Sequence, residues 1–510
     1  MLKRNIINFA FVVLVMSCAF LAAATPARAS LTQRCNWGVG MQAPTVWPLS
    51  TQVMMMPTVM DFGNPAFGIS QVAFISFENT NQQAMNGGGV LRIIDGNCNE
   101  IARYPDSSPP PPPPCPSNLN TVPNLAVRNG LAVGNLDNAT TDVEIVGVIG
   151  GPTSKQIIAF NLVGPLNAAQ LVVKWCSPPL SGVDFIPRDS APAIAQLDRP
   201  PDPHINQSEI VIDDKVFDFN GTLRFTGFNV AQSNTVVVAN TTATGPQVIV
   251  GRRMYKSNLP FWTGTLGWTS GPVSPIPPVY PVVADIVPGG PPEIVVTDTH
   301  WTRVRVLSSV TGAQLASAPL PNPGFSQCGG PPMIGNVPGI GTVIGVASCS
   351  RYTLFKYNGT NLLQQVWTPL PILDHSGVTT STLYNTPAGA GARIYYNDEH
   401  FLRVINAATG VVIQSVQNSS GTVMEGPVIA AFDTGQGHGA VIVAANNYAT
   451  GTDKGIRIFD DPLIGPAVSY WNQHTYHYTN VTNSHGAIPI VEPKSWVSPA
   501  RNTYRVQQWP

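Results

Sequence analysis

One short phrase recurs along this chain and limits what the chain can fold into. It has a small residue or proline, a β-branched residue, a small and a polar residue and often an aspartate. Each copy of the phrase is the first of three apolar runs. The second and third runs are rich in β-branched residues, and the third tends to end at a glycine turn. The phrase reads PTVMDF, LAVGNLD, PAIAQLD, PVVADIV, PMIGNV and PVIAAFD. Such runs, bounded by Gly, Pro, Asn and Asp, predict strands. No segment sustains apolar residues at helical spacing, so we do not expect a helical solenoid.

The spacing of this phrase predicts the architecture. Its apolar anchors are separated by 74, 61, 89, 51 and 95 residues. They are Val59, Val133, Ile194, Val283, Ile334 and Ile429. Repeats of about 40–50 residues with several short strands are typical of propeller blades. The two longest gaps each hold a further unit, TVVVANTT and GVTTSTLY. We therefore predict an all-β chain that forms a β-propeller of eight blades, with seven blades as the alternative. The C-terminal segment should complete a sheet begun by N-terminal residues.

The N-terminus predicts export. A basic start at Lys3, an apolar run and a small-x-small site ending at Ala29 have the layout of a secretory signal. Residues 1–29 are then the signal peptide, and residues 30–510 form a single propeller domain. The apolar run is short for a bilayer, and we expect no transmembrane segment. A lipoprotein anchor at Cys18 stays open as the alternative. The expected location is secreted, cell-surface or periplasmic.

The composition argues against a nucleic-acid partner. Charged residues make up 11% of the chain and the formal net charge is −1, whereas an average domain is about 25% charged. Such a chain has no field that attracts nucleic acid or an anionic membrane. The 46 glycines and 49 prolines predict many turns. A proline-rich segment at 105–117 cannot pair as a strand, so we expect an exposed loop there.

Six cysteines follow the predicted signal, and an even number in an exported chain predicts disulfides. No Cys-x-x-Cys occurs, so a zinc knuckle, a haem site or a thioredoxin-like motif is not supported. Fifteen pairings are open to six cysteines. We favour Cys328 with Cys349, which are close in sequence and flank a predicted hairpin. Cys98 with Cys115 is the next choice.

The repeats resemble a known family. VGNLDNATTDVEIVGV, VADIVPGGPPEIVV and IAAFDTGQGHGAVIVAA look like FG-GAP (VCBS-type) repeats, the blade units of integrin-alpha-like propellers. The resemblance extends from about Met56 to Pro462. The tail, SYWNQHTYHYTNVTNSHGAIPIVEP, is similar to the ends of bacterial secreted proteins that carry these repeats. The resemblance implies a role in cell adhesion.

Well-formed repeats of this family carry a loop similar to Asp-x-Asp-x-Asp-Gly that binds calcium, an ion that takes six to eight oxygen ligands. In this chain the matching acids are Asp137 with Glu144 and Asp285 with Glu293. The middle acid is missing from both loops, so no loop has three carboxylates at the right spacing. Two interpretations stay open, a tight hairpin turn and a weak calcium site.

Two further segments concentrate residues that could carry chemistry. YWNQHTYHYTN contains Trp471, His474, Tyr476 and His477. This segment is either an aromatic rim that binds a partner or a last strand that packs into the first blade. Two histidines three apart lie on opposite faces of a strand, so we expect no chelating pair. YYNDEHF places Asp398, Glu399 and His400 in one loop, either as acid–base groups or as a hairpin tip.

These observations favour a secreted, non-enzymatic propeller that binds an extracellular protein or carbohydrate partner. The chain has no Gly-x-Ser-x-Gly elbow, no His-Glu-x-x-His and no phosphate loop. Propellers also host enzymes, and a fold alone does not assign a function. The alternative is therefore an extracellular polymer-degrading lyase or hydrolase with its site at the central channel. Because low charge favours association, a filament-forming structural protein is a third class.

Overall fold

The computed structural model describes residues 30–507 except 65, 79–87, 107–114, 116–124, 138–141, 152, 228–234, 243–244, 258–260, 271–278, 299–301, 322–328, 376–378, 387–390, 434–436, 448–450 and 499–500. The predicted signal peptide and most of the proline-rich segment at 105–117, which is predicted to be a loop, lie outside these residues. In the described part of the chain, no helix is long and apolar enough to cross a membrane.

The strands form eight sheets that are arranged as the eight blades of a propeller. Blades are numbered 1 to 8 along the chain, and each is described from its innermost to its outermost strand. Blade 1 has Gln52–Val53 and Thr58–Met60 side by side as its inner edge, then Gln71–Phe77, Val90–Ile94 and Glu100–Tyr104. Blade 2 has Ala132–Gly134, Glu144–Gly150, Lys155–Val163 and Gln170–Cys176. Blade 3 has Ala193–Ala195, Glu209–Ile212, Lys215–Phe217 and Leu223–Thr226. Blade 4 has Val236–Thr242, Gly245–Val250, Arg253–Lys256 and Thr265–Thr269.

The second half of the ring repeats this pattern. Blade 5 has Val279–Ala284, Glu293–Asp298, Arg303–Ser308 and Gln314–Pro319. Blade 6 has Met333–Val337, Gly341–Ser348, Arg351–Tyr357 and an outer edge made of Leu363–Gln365 and Leu370–Pro371. Blade 7 has Ser381–Asn385, Ala392–Asn397, Phe401–Asn406 and Val412–Gln417. Blade 8 has Val428–Ala430, Ala440–Ala445, Gly455–Asp460 and, outermost, Thr32–Trp37. Two short strands pair parallel to blades: Gly63–Asn64 with blade 2 and Val506–Gln507 with blade 7.

The prediction of eight blades is confirmed. All six sequence anchors lie in innermost strands, and the two additional units form the innermost strands of blades 4 and 7. Hydrophobic cores fill the spaces between neighbouring blades, which explains the continuous β-branched runs. In blade 3, Ile210 packs with side chains of blade 2, and the next residue, Val211, packs with side chains of blade 4. Because adjacent residues point to opposite faces of a strand, both faces must be apolar.

The two ends of the chain close the ring by sharing blade 8, as predicted. Thr32–Trp37 pairs antiparallel with Gly455–Asp460 as the outermost strand. A disulfide between Cys35 and Cys98 ties this strand to a turn of blade 1. Residues 428–460 supply the other three strands of blade 8. The aromatic tail that follows them is not a strand of any blade.

The predicted disulfide between Cys98 and Cys115 is wrong. Cys98 is bonded to Cys35, and Cys115 is bonded to Cys176 at the end of the outermost strand of blade 2. Closeness in sequence was a poor guide because the blades bring together residues about 60 positions apart. Cys349 is also disulfide-bonded, but Cys328 lies outside the described residues, so that pairing stays a prediction.

A bulge recurs in the outermost strands. In every blade except blade 6, the register between the third and fourth strands skips one residue of the fourth. The skipped residues are Ile101, Lys174, Arg224, Gly267, Leu315, Ile413 and Arg34 in blades 1, 2, 3, 4, 5, 7 and 8. An extra residue in one strand re-aims its side chain, and three of the seven are basic.

Candidate functional site

The C-terminal tail fills the central channel of the propeller. Backbone hydrogen bonds join Trp471 to Val59 of blade 1 in both directions, at 2.9 and 2.7 Å. Asn472 accepts from the amide of Val133 in blade 2 at 2.8 Å. Further along, Tyr504 exchanges hydrogen bonds with the innermost strand of blade 6 and Arg505 accepts one from that of blade 7.

Side chains of the tail and of the ring extend these contacts to the other blades. The Gln473 side chain accepts from the amide of Ile194 in blade 3 at 2.9 Å. The carbonyl of Glu492 accepts from Asn240 in blade 4 at 3.3 Å. Asn502 exchanges hydrogen bonds with the backbone of Asp285 next to blade 5, and Gln507 donates to blade 8. The tail therefore contacts all eight blades.

The four tail residues singled out in the sequence lie inside this plug. Trp471, His474, Tyr476 and His477 are at most 6% exposed. The rings of Trp471 and Tyr476 stack with their centroids 4.4 Å apart. They form no exposed aromatic rim. The segment packs against the first blade, where Trp471 makes an antiparallel bridge with Val59, but it is not a regular strand of that blade. Aromatic residues concentrate here because a channel between eight blades needs large side chains to fill it.

Two histidines of the plug have opposite electrostatic surroundings. The Nδ1 atom of His474 lies 2.9 Å from Nη2 of Arg505. Burial and the neighbouring guanidinium hold the pKa of His474 well below its usual value. Burial opposes the charge of His477 as well, but the charge and hydrogen bond of Glu492 outweigh that effect and raise the pKa of His477.

In blade 2 a lysine neutralises the first pair of predicted calcium ligands. The Nζ atom of Lys174, the bulge residue, lies 2.5 Å from Asp137 and 2.6 Å from Glu144. Glu144 is fully buried and also accepts from the amide of Leu136 at 2.8 Å. The loop thus holds an internal cation between the two acids that were predicted as calcium ligands. A calcium ion would have to displace the ammonium group.

Blade 3 repeats the arrangement with an arginine. The guanidinium of Arg224, again the bulge residue, contacts Asp198 and lies 3.0 Å from Glu209. Glu209 accepts from the amide of Leu197 at 2.7 Å, as Glu144 does from Leu136. Asp198 and Glu209 were not among the predicted ligands, and neither Lys174 nor Arg224 was predicted to pair with the acidic loops, although all of these residues are visible in the sequence. The missing signal was the bulge, which decides where the basic side chain points.

Blade 5 carries the second pair of predicted ligands, and among the described residues no basic side chain pairs with them. Glu293 accepts from the amides of Ile286 and Val287 at 2.9 and 3.0 Å, but the bulge residue is Leu315. Burial raises the pKa of both Glu293 and Asp285. Two carboxylates supply few of the oxygen ligands that calcium requires. In the described part of the chain, no three His, Cys, Asp or Glu side chains are grouped to hold a metal ion.

The acid–base candidates of YYNDEHF stabilise a turn. Asp398 accepts from the amides of His400 and Phe401 and from Nε of Arg403 at 2.7 Å. Glu399 pairs with His375 at 2.8 Å, and the hydrogen bond and charge of Glu399 raise the pKa of this exposed histidine. This geometry matches the hairpin-tip interpretation.

An open pocket lies where the loop after the inner strand of blade 5 meets blade 6 and the tail. It has a volume of about 400 Å³. Blade 5 contributes Asp285, blade 6 contributes Lys356 and Tyr357, and the tail contributes Trp496 and Asn502. The tail therefore forms one wall of this pocket as well as the plug.

Comparison with known proteins supports the architecture. No protein-family model matches the chain, and no curated protein matches its sequence. The fold is similar to the crystal structure of the V. cholerae biofilm matrix protein Bap1, with a TM-score of 0.66 and 14% identity over 94% of this chain and 99% of that one. Rhamnogalacturonan lyase YesW matches with a TM-score of 0.37 and 12% identity, over 90% of this chain and 66% of that one. At these identities the similarity to Bap1 concerns the fold, and no family match supports the resemblance to FG-GAP repeats.

Proposed function

We propose that this protein is exported and acts as a non-enzymatic binding protein for an extracellular protein or carbohydrate. The filled central channel is the observation that carries the proposal. A channel-centred lyase or hydrolase needs space for its polymer and acid–base groups that face it. Here the tail occupies that space and is hydrogen-bonded to the inner strands of the ring.

The state of the acidic clusters supports the same function. Acid–base catalysis requires groups that can reach a substrate proton. The carboxylates of blades 2 and 3 and of the blade 7 turn are engaged by Lys174, Arg224 and Arg403. Ion pairs of this kind stabilise loops and hold these carboxylates in contacts within the protein.

The proposed place of action is the cell surface or the extracellular space. The two described disulfides are typical of oxidising compartments, and the sequence begins with a predicted signal. Bap1, whose fold is similar, is named a biofilm matrix protein. We propose a comparable adhesion-like role here. Calcium, if it binds, is a weak ligand of the blade 5 loop rather than a structural cofactor of blades 2 and 3.

The test compares binding and turnover in one sample. Purified mature protein is incubated with cell-surface polysaccharides and, separately, with surface proteins, and retention and product release are measured together. We expect retention of one class without new reducing ends or unsaturated uronates. Product that accumulates in proportion to enzyme and time would overturn the proposal in favour of the polymer-degrading alternative.

A further inference from the structure

Two charged side chains, Asp285 and Lys356, line the pocket between blades 5 and 6. Neither the Asp285 carboxylate nor the Lys356 ammonium has a hydrogen bond or ion pair with any described residue. The buried glutamates of blades 2, 3 and 5 accept from the amides of Leu136, Leu197 and Ile286. Asp285, the residue before Ile286, therefore stands where blades 2 and 3 have Asn135 and Gln196. It is a carboxylate that those two loops lack at this position.

The pocket also has an aromatic lining. Trp496 and Tyr357 both line it, and both are half-buried against the core between blades 4, 5 and 6. The Tyr357 hydroxyl is used, since it donates to the carbonyl of Thr360. No hydrogen bond to a described residue involves the indole N–H of Trp496. Packing thus holds the two rings in place. Beside them, the Asp285 carboxylate, the Lys356 ammonium and the Trp496 indole N–H form no hydrogen bond with a described residue.

The tail holds this pocket together through Asn502. Its side-chain oxygen accepts from the amide of Asp285 at 2.9 Å, and its nitrogen donates to the carbonyl of Asp285 at 2.7 Å. The same nitrogen lies 3.4 Å from the hydroxyl of Thr342 in blade 6. Asn502 is nearly fully buried. It is a positioning residue that joins blade 5, blade 6 and the tail.

We propose that this pocket binds a neutral pyranose residue of a carbohydrate, a substrate class that rests on the proposed binding function. A pyranose ring has an apolar C–H face for Trp496 and Tyr357, and its hydroxyls both donate and accept hydrogen bonds. Asp285 accepts from one hydroxyl and Lys356 donates to another. A charged sugar would be attracted by one of these groups and repelled by the other. The volume of about 400 Å³ lies within the usual range for small-ligand sites, about 300–1,000 Å³.

The experiment measures binding of purified mature protein to an array of neutral oligosaccharides built from glucose, galactose, mannose and N-acetylglucosamine, with uronate oligosaccharides alongside. The variants are Lys356→Ala and Trp496→Ala, with Lys494→Ala as matched control because that exposed lysine of the tail does not line the pocket. We expect both pocket variants to weaken binding of a neutral sugar at least about tenfold, a loss typical of one charge-assisted hydrogen bond. Lys494→Ala should bind as the unmodified protein does.

Each outcome decides a separate point. If a neutral glycan is retained and the pocket variants bind it unchanged, the site is wrong and the binding function stands. If only uronates bind, with Lys356→Ala abolishing binding and Asp285→Asn strengthening it, the neutral class is wrong. Retention of proteins but no glycan overturns the pocket proposal and leaves the wider function intact. Should Trp496→Ala fail to fold, Lys356→Ala decides, with Trp496→Tyr as the ring-retaining variant.

Discussion

At the scale of single residues, an internal ion pair holds each of the acidic loops of blades 2 and 3. A buried carboxylate without a partner is costly, so these loops require a positive charge nearby. Lys174 and Arg224 supply it from the outermost strand, because the bulge points them at the loop. Glu144 is fully buried, and its amide contact alone does not neutralise it.

The first prediction concerns Lys174→Met, which keeps the length of the side chain and removes its charge. Removing one partner of a buried pair typically costs about 3–5 kcal/mol; because 23% of the Lys174 side chain is exposed, we expect the lower end of that range. Urea unfolding of the variant measures the loss. The control is Lys494→Met in the exposed part of the tail, which should be neutral.

Calcium gives this variant a second readout. In the unmodified protein a chelator should leave the fold intact and lower the melting temperature by a few degrees at most, because weak sites contribute only about 1.4 kcal/mol each at ten times their dissociation constant. In Lys174→Met the vacated carboxylates should make melting more sensitive to millimolar calcium. A large loss of structure in chelator by the unmodified protein would show that calcium is structural.

The second prediction concerns pH and His474. Its pKa is lowered in the folded state and is about 6.5 in the unfolded state, so unfolding takes up a proton below that pH. The contribution of His474 to stability is therefore present above pH 6.5 and is lost as the pH falls, by up to about 1.4 kcal/mol per unit. His474→Asn should lose less stability than the unmodified protein between pH 7 and 5 in urea unfolding.

His477 supplies the opposite control. Its pKa is raised in the folded state by Glu492, although burial works against it, so protonation favours folding. Its contribution is present below the unfolded pKa and is lost as the pH rises through the folded value. His477→Gln should therefore make the protein more acid-sensitive. Parallel pH profiles for both variants and the unmodified protein would contradict the assignment of these two side chains.

At the scale of elements, the sequence predicts the blades but not what joins them. Each inner strand is a local β-branched run, and its buried faces can be read from a few residues. Pairing of Thr32–Trp37 with Gly455–Asp460, and of Cys35 with Cys98, depends on how the ring closes. The position of the aromatic tail in the ring likewise depends on distant contacts. Trp471 contacts Val59, and no local pattern encodes a partner so distant in the chain.

The third prediction compares the two described disulfides. They close loops of nearly equal length, with sequence separations of 63 and 61, so chain entropy alone predicts that losing either costs about 4 kcal/mol. Cys35–Cys98 also links blade 8 to blade 1, whereas Cys115–Cys176 joins a residue between blades 1 and 2 to the outermost strand of blade 2. We expect Cys35→Ser with Cys98→Ser to destabilise the protein more, and to speed proteolysis of the N-terminal strand. Equal losses in urea unfolding would mean that ring closure adds nothing.

At the scale of the whole molecule, the tail changes how eight repeats behave. A ring of repeats in which each blade contacts only its neighbours has mostly nearest-neighbour coupling, as in other repeat proteins. Here one segment is hydrogen-bonded to all eight blades and lies between them. Such a plug couples blades on opposite sides of the ring. The same segment also contributes Trp496 to the wall of the pocket between blades 5 and 6.

The last prediction tests this coupling with a matched pair of tryptophans. Trp471 is fully buried in the plug, and Trp268 is 7% exposed in the outermost strand of blade 4. Replacing either with alanine should cost about 3–5 kcal/mol by creating a cavity. The Trp471 ring stacks on Tyr476 of the plug and packs in one core with Val59 of blade 1. Trp471→Ala should therefore also broaden the urea transition and separate the fluorescence and circular dichroism curves. Trp268→Ala should shift the midpoint with an unchanged slope. If both variants keep one steep, coincident transition, the ring is cooperative without the plug, and the tail acts only as filling.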